Sequence, residues 1–328
     1  MFKRIRNTLS TLFMLLVLTG CGNAEPTTAP VMTPILPTAT SPQAVVTTLP
    51  GPTTLPPTNS TSLSGPYLGQ TPPGSSPARF APATFRGDLH TPPVFMPDGS
   101  QVYWAMQGAK ILAMRLENGY WTLPESIAFS ASMTDYRDPF ISPSGDRLFF
   151  LSKGKLDFQL SEKENIWFVE RVGTGWGEPR PLSEEVNSFE LHWQISVNKN
   201  GDIYFTTRDT GCEDIYFSTY LNGQYVKPER LSDSVNTDDL CETTPYIAPD
   251  ASYLIFSRWD KNDGNSPMRL YISYADHDGG WTKAVLIEQI SYGLCPLVSP
   301  DGKYLFFLSS PQSVSWMSAE FIEKLKPR

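Results

Sequence analysis

The stretch Ser299-Pro300-Asp301-Gly302-Lys303-Tyr304-Leu305-Phe306-Phe307 decides the fold, because four degenerate copies precede it in the chain. The last residues of the five turns are 46, 56, 50 and 51 positions apart. An apolar run precedes each turn and an aromatic run follows it, which predicts a β-hairpin. The turns are Pro97-Asp98-Gly99, Pro143-Ser144-Gly145, Asn198-Lys199-Asn200-Gly201, Pro249-Asp250-Ala251 and Pro300-Asp301-Gly302.

A second hairpin follows the first in four of the repeats. Its leading strand is apolar and aromatic, as in Ile215-Tyr216-Phe217-Ser218, and its returning strand usually contains a proline such as Pro179 or Pro228. Proline suits the edge of a sheet, where a missing N–H removes no ladder bond. Four strands about every fifty residues predict an all-β protein, a five-bladed β-propeller, with six blades as the alternative.

The fifth repeat has a third strand at Val314-Ser315-Trp316-Met317 but no fourth. Pro77-Ala78-Arg79-Phe80 matches the outer strands at 179–182 and 228–231. We therefore expect an N-terminal strand to complete the last blade and close the ring, which removes exposed sheet edges. An open stack of hairpins would explain neither the even period nor this match between the two ends.

The repeat resembles the WD40-like β-propeller repeat of the TolB type, over residues 78–328. That resemblance implies an exported or envelope propeller that binds proteins, and in some members of the family the propeller gates a fused hydrolase. The chain departs from the pattern at Ala251, which replaces the turn glycine, and in the longer third turn. It also has five repeats where TolB has six blades.

The N-terminus predicts export. Lys3, Arg4 and Arg6 precede an apolar run from Leu9 to Leu18, which is the layout of a signal peptide over 1–20. Leu18-Thr19-Gly20-Cys21 resembles the bacterial lipobox, in which the cysteine is lipidated. We expect a lipoprotein anchored through Cys21 on the outer face of the cell membrane or envelope; the sequence leaves the leaflet open.

Residues 21–77 predict a disordered, Pro/Thr-rich linker. Positions 24–77 hold 13 of the 30 prolines and 12 threonines, and Glu25 is their one charged residue. Such a segment buries too little apolar surface to offset the entropy of ordering it. We expect it to hold the 78–328 domain away from the lipid, with or without O-glycans on its hydroxyls.

Composition restricts the partners. The formal net charge is −8 at pH 7, and removal of residues 1–20 makes it −11. A protein that binds nucleic acid neutralises phosphates with clustered Lys and Arg, so we exclude that class. We expect a monomer without a cofactor, contacting a membrane through its anchor and an unknown protein or glycan in the envelope.

Candidate ligand residues lie just before the inner strand of each blade, where a propeller channel opens. They are His90, Arg137, Asp138, Glu190, His192 and Glu242. These side chains could bind a polar ligand, or they could cap loops and join neighbouring blades, which we favour. Their spacing specifies no metal geometry. Cys212 and Cys241 fall in loops on one face, so a disulfide between them is possible in an oxidising compartment.

Two functions remain open. The sequence favours a non-enzymatic binding module, displayed on a stalk, for a protein, peptide or cell-wall glycan. The alternative is a carbohydrate-active hydrolase that uses a pair of carboxylates at the channel mouth. No Gly-x-Ser-x-Gly elbow is present in the chain, which argues against a serine hydrolase of the α/β type.

Overall fold

A computed structural model describes residues 63–328, apart from residues 109, 132, 134 and 210 and the side chain of His192. The predicted signal peptide 1–20, the lipidation site Cys21 and the linker as far as residue 62 lie outside the described residues. The remainder of this subsection concerns residues 63–328.

The strands form five antiparallel sheets in chain order, one for each sequence repeat. Blade 1 contains β2 (Val94–Phe95), β3 (Gln101–Met106), β4 (Lys110–Glu117), β5 (Tyr120–Trp121) and β6 (Glu125–Ile127). Blade 2 contains β7 (Arg137–Ile141), β8 (Arg147–Gly154), β9 (Lys163–Val172), β10 (Gly175–Trp176) and β11 (Arg180–Pro181). Blade 3 contains β12 (Leu191–Val197), β13 (Ile203–Thr207), β14 (Asp214–Ser218) and β17 (Glu229–Arg230), with a side ribbon of β15 (Tyr220–Leu221) and β16 (Gln224–Tyr225).

The last two blades complete the five-bladed β-propeller predicted from the repeats. Blade 4 contains β18 (Leu240–Ile247), β19 (Tyr253–Asp260), β20 (Arg269–Tyr274) and β21 (Val285–Leu286). Blade 5 contains β22 (Leu294–Val298), β23 (Tyr304–Ser310), β24 (Ser313–Ser318) and β1 (Ala78–Arg79). Two short helices, α1 (Glu184–Asn187) and α2 (Phe321–Leu325), and a 3₁₀ turn at Pro66–Gly69 are the helical elements of the described residues.

The N-terminal strand closes the ring, which confirms the prediction from the unequal ends. Ala78 pairs with Trp316 and Arg79 with Ser315 in antiparallel register. Phe80 follows directly and is fully buried, with its ring centre 4.9 Å from those of both Phe306 and Trp316. The first and last parts of the domain therefore share one sheet and one aromatic cluster.

Residues 63–77, which the sequence assigned to the linker, pack against the propeller. The Leu63 carbonyl accepts a hydrogen bond from the Trp121 backbone N–H, at 2.8 Å. Leu68 is 1% exposed, and the Tyr67 ring centre lies 5.2 Å from that of Phe95. The apolar side chains of Leu63, Tyr67 and Leu68 give this stretch surface to bury against the propeller.

Strands inside a blade are buried because neighbouring blades cover both faces of the sheet. Every residue of β13, the second strand of blade 3, and of β22, the inner strand of blade 5, is buried. Burial on both faces replaces the alternation of buried and exposed positions that a half-exposed strand shows. Two buried asparagines then fill gaps at the outer strands: Asn187 in blade 2 and Asn236 in blade 3 each donate to two backbone carbonyls and accept one backbone N–H.

No helix within the described part of the chain is long and apolar enough to cross a bilayer.

The turn at Ala251 provides a test of backbone strain. Ala251 has φ +58°, and Gly302 at the equivalent position has φ +73° with open space where a Cβ would stand. A left-handed conformation costs a residue with a Cβ roughly 1–2 kcal/mol, partly offset by the greater chain entropy of glycine when unfolded. We expect Ala251→Gly to raise the free energy of unfolding by about 0.5–1 kcal/mol and Gly302→Ala to lower it by about 1 kcal/mol. Urea unfolding of both variants checks this, and a loss of stability in Ala251→Gly would contradict it.

Candidate functional site

A bulge recurs at the start of the inner strands of blades 2 to 5. Asp138, Trp193, Thr244 and Cys295 occupy equivalent positions, and each has a positive φ between 47° and 59°. The strand register shifts at each of these places. In three of the four blades a proline follows, and a residue without an N–H loses no ladder bond at a bulge. The bulges arrange one side chain per blade around the channel.

His90 and Asp138, which the sequence predicted to lie near one mouth of the channel, are in contact at the level of the bulges. His90 Nδ1 and Asp138 Oδ1 are 2.5 Å apart, and the two side chains are 13% and 1% exposed. The pair joins blade 1 to blade 2. The Asp138 carboxylate raises the pKa of His90, although burial of the imidazole opposes the shift. This geometry makes the pair a blade-to-blade contact.

Glu242 is completely buried and lies away from that pair. Its Oε1 is 2.8 Å from Arg258 Nε, and both its oxygens accept hydrogen bonds from Thr237 of the same blade. Burial raises the pKa of Glu242, while Arg258 and Thr237 oppose the shift. Glu242 is therefore enclosed by Arg258 and Thr237 and has no exposed surface.

The other predicted residues make different contacts, although Arg137 lies close enough to His90 and Asp138 to interact with both electrostatically. Arg137 pairs with Asp135 and Glu164 inside blade 2, with N–O distances of 2.8 Å and 3.2 Å. Glu190 is exposed at the surface. His192 stands on β12, and its side chain is outside what the structure describes. Of the six candidates, the structure therefore brings only His90 and Asp138 into contact among the side chains that it describes.

Gln194 closes the channel below this level. Its Nε2 donates to the carbonyl oxygens of Pro296, at 2.8 Å, and of Pro245, at 3.4 Å. The side chain thus reaches from blade 3 to blades 4 and 5. Two buried oxygens in this region, Asp138 Oδ2 and Gln194 Oε1, have no hydrogen-bond partner among the described residues. Gln194 therefore joins three blades through two hydrogen bonds next to the bulges.

A pocket opens at the opposite end of the channel, where the inner strands end in the five turns. We call it the axial pocket; its volume is about 160 Å³. All five blades contribute to it, and its walls are mostly apolar. The lining includes Val94, Phe95, Phe140, Ile141, Val197, Ile247, Leu297 and Val298, with Pro97, Pro143, Lys199, Pro249 and Pro300 at the rim.

The three cysteines within the described residues have structural roles. Cys212 and Cys241 form a disulfide with a Cα–Cα distance of 5.6 Å, linking the second loop of blade 3 to the start of β18. Cys295 is free and buried, and its thiol donates to the His90 carbonyl at 3.7 Å. Burial raises the pKa of this thiol, and the Asp138 charge adds to the effect, so it stays protonated.

The candidate residues predicted from the sequence lie at the end of the channel opposite the axial pocket. The turn prolines indicated the hairpins of the fold, and their position around one pocket was not predicted. The sequence did contain a pattern that indicates this pocket. Four of the five turns carry a proline at the same position, and the symmetry of the ring brings equivalent positions together. Gln194 was also missed, although it replaces the proline that follows the bulge residue in blades 2, 4 and 5.

No three His, Cys, Asp or Glu side chains within the described ranges come together in a way that could hold a metal ion.

The fold and the channel define the class of this protein as a five-bladed β-propeller. No family model and no curated protein matches the sequence. Among solved structures, a putative TolB from Agrobacterium tumefaciens is 19% identical with a TM-score of 0.46, over 67% of this chain and 69% of that one. TolB from Acinetobacter baumannii is 14% identical with a TM-score of 0.45, over 68% of this chain, which spans 53% of that protein.

A thermostable family-43 glycoside hydrolase is also similar, at 14% identity and a TM-score of 0.46 over 75% of this chain and 90% of that one. Likenesses at these levels of identity concern the fold alone.

The pKa of His90 predicts how stability depends on pH. Asp138 raises this pKa above the ordinary value of 6.5, so the folded state holds the proton more tightly than the unfolded state. The stabilisation is fully present below about pH 6.5 and is lost as the pH rises through the raised pKa. We expect the stability difference between the wild type and His90→Gln to be larger at about pH 5.5 than at about pH 9.

Urea unfolding across that pH range measures the difference. His277→Gln is the matched control, since His277 is exposed in a turn, and it should leave the profile of the wild type unchanged. A constant difference between the wild type and His90→Gln at all pH values would show that the pair is not an ion pair in solution.

Proposed function

We propose that this chain is an exported, lipid-anchored protein of the TolB-like type whose propeller is a non-enzymatic binding module. Its ligand is a protein or peptide segment that places an apolar side chain in the axial pocket. The observation that carries the proposal is the apolar, proline-rimmed pocket to which all five blades contribute. Cys21 and the Pro/Thr-rich linker would display this pocket away from the membrane.

The chemistry of the pocket favours a peptide over a glycan. Ligand sites are mostly apolar with a few polar groups that fix orientation. The floor contains aliphatic residues such as Ile141, Ile247 and Leu297, which suit an aliphatic or aromatic side chain. A sugar needs several hydrogen-bonding side chains around its hydroxyls. Ser142, Ser299 and Lys199 are the lining residues with polar side chains other than Tyr246, and Ser142 and Ser299 are already bonded to Asp146 and Asp301.

The hydrolase alternative lacks support at the predicted carboxylates. Glycoside hydrolysis needs two carboxyl groups that face one substrate. Asp138 is 1% exposed and bonded to His90, and Glu242 is 0% exposed and bonded to Arg258 and Thr237. Turnover in a panel of glycosides that disappears in Glu242→Gln or Asp138→Asn would overturn the binding proposal.

Lipid anchoring is tested by Cys21→Ala. Acyl chains bind a bilayer with about 0.8 kcal/mol per buried CH₂, so loss of the acylated residue should move the protein from the membrane to the soluble fraction. Fractionation of cells that express the wild type or the variant measures this. Cys295→Ala is a control that changes a buried cysteine remote from the N-terminus. An unchanged membrane fraction for Cys21→Ala would refute the anchor.

Binding at the axial pocket is tested by a charge at its rim. Pro249 is partly exposed at the rim, so Pro249→Glu should fold normally while placing a carboxylate beside the apolar surface. Blocked peptides with a single Leu or Phe should bind the full chain and lose at least about tenfold in affinity in the variant, because a charge next to an apolar contact must be desolvated. Isothermal titration calorimetry measures the affinities.

Leu160→Glu is the matched control, because Leu160 is a fully exposed apolar residue on the opposite side of blade 2. It should bind the same peptides as the wild type does. Equal affinity of Pro249→Glu and the wild type would place the binding surface elsewhere.

A further inference from the structure

A groove leads outward from the axial pocket along the seam between blades 2 and 3. It consists of an inner cavity of about 190 Å³ and an outer cavity of about 320 Å³. The inner cavity shares Ser142, Pro143, Val197 and Lys199 with the axial pocket, and it shares Arg147 and Tyr220 with the outer cavity. We call the two cavities together the seam groove. The surface is therefore continuous from the propeller axis to its rim.

Two arginines line the outer end of the seam groove. The Arg147 guanidinium carbon lies 5.4 Å from the ring centre of Phe168 and 5.5 Å from that of Tyr220. The Arg180 guanidinium carbon lies 4.8 Å above the same Phe168 ring. Stacking on aromatic rings holds the planar guanidinium groups in place.

Glu170 is the carboxylate that faces this pair. It forms an ion pair with Arg147, at 3.4 Å, and a second one with Arg180. Two guanidinium groups thus share one carboxylate, and the charged side chains that line the outer cavity are both arginines. Asp146, in the lining of the inner cavity, adds a carboxylate further along the groove. On a chain with a net charge of −8, an outer cavity lined by two arginines suits a partner with a negative charge.

A buried hydroxyl group lies beside the arginines. Tyr225 lines the outer cavity and is 6% exposed, and its Oη has no hydrogen-bond partner among the described residues. Burial raises the pKa of the hydroxyl and the Arg147 charge only partly opposes this, so the group stays protonated and can donate. A buried donor without an acceptor costs about 1–3 kcal/mol, which a ligand oxygen would recover.

We propose that the outer end of the seam groove is a carboxylate-binding subsite, formed by Arg147, Arg180 and the Tyr225 hydroxyl. Its ligand is an acidic side chain of the same peptide that places an apolar side chain in the axial pocket. This inference rests on the proposed function and names its ligand class: an extended segment with an apolar residue followed or preceded, a few residues away, by Asp or Glu. An arginine guanidinium group binds a carboxylate through two parallel hydrogen bonds, which adds affinity and fixes the position of the peptide along the groove.

Blocked peptides test the subsite on the full chain. One series carries a Leu with a Glu at spacings of two to five residues, and a matched series carries Gln in place of the Glu. For at least one spacing we expect the Glu peptide to bind about tenfold more tightly than its Gln partner, by calorimetry, and this ratio should fall as salt is added. A ratio near one at every spacing would overturn the subsite, whereas Leu-dependent binding would leave the proposed function intact.

Variants of the subsite residues distinguish a loss of carboxylate binding from a loss of folding. Tyr225→Phe removes only a hydroxyl without a partner in the protein, so it should keep the stability of the wild type and reduce the Glu-to-Gln ratio to about threefold or less. Arg180→Met should do the same, because Arg180 is half exposed. Arg115→Met is the matched control, since Arg115 is 44% exposed, pairs with Glu125 and lies in blade 1. Ratios that stay unchanged in both groove variants would overturn the assignment.

A ligand without a peptide backbone distinguishes the two proposals. If no Leu peptide binds, the proposed function is wrong, and the subsite is then tested with glutarate alone. A rise in melting temperature with glutarate that is absent in Arg180→Met and Tyr225→Phe would support the subsite. No rise would overturn it. Tighter binding of glucuronate than of glutarate would show that the ligand is a glycan and that the peptide assignment is wrong.

Discussion

The structure depends on one pairing of strands, that between Ala78–Arg79 and Ser313–Ser318. Without it, the ring of blades would be an open array with β24 as an exposed edge, free to pair with other chains. Phe80, Phe306 and Trp316 cover the joint with aromatic contacts. Because every blade contacts two neighbours, this closure also fixes the distance of each inner strand from the axis. The axial pocket exists only when the ring is closed.

In the closed ring, the two ends of the channel differ in the side chains that surround them. At the end where the inner strands start, polar side chains are used to join blades: His90 binds Asp138, and Gln194 binds the carbonyls of blades 4 and 5. At the turn end, strand ends diverge and leave apolar side chains and prolines around an opening. The polar side chains at the first end are engaged with one another and with backbone groups. This difference between the two ends is what supports the proposal of binding through the turn end and the seam groove.

Much of the fold could be predicted because the repeat is a local signal. The Pro-Asp-Gly turns and the runs around them specify hairpins, and the missing fourth strand of the last repeat specified how the ring closes. The same topology left a disulfide between Cys212 and Cys241 possible, and the structure contains it. The candidate site was harder. The sequence predicted that His90, Asp138 and Glu242 lie near one mouth of the channel. The structure brings His90 against Asp138 and buries Glu242 against Arg258, sixteen positions later.

By itself, the sequence determined the repeating hairpins, their number and the match between the two ends, because periodicity and turn chemistry are properties of short segments. It also predicts a signal peptide and a lipidation site at Cys21. Tertiary structure alone decided which polar residues remain available. Spacing along the chain does not report whether a carboxylate meets an arginine across a sheet, whether Gln194 crosses the axis, or whether Arg147 and Tyr225 from different blades face one groove. Those relations depend on the distance and angle between blades, which only the closed ring sets.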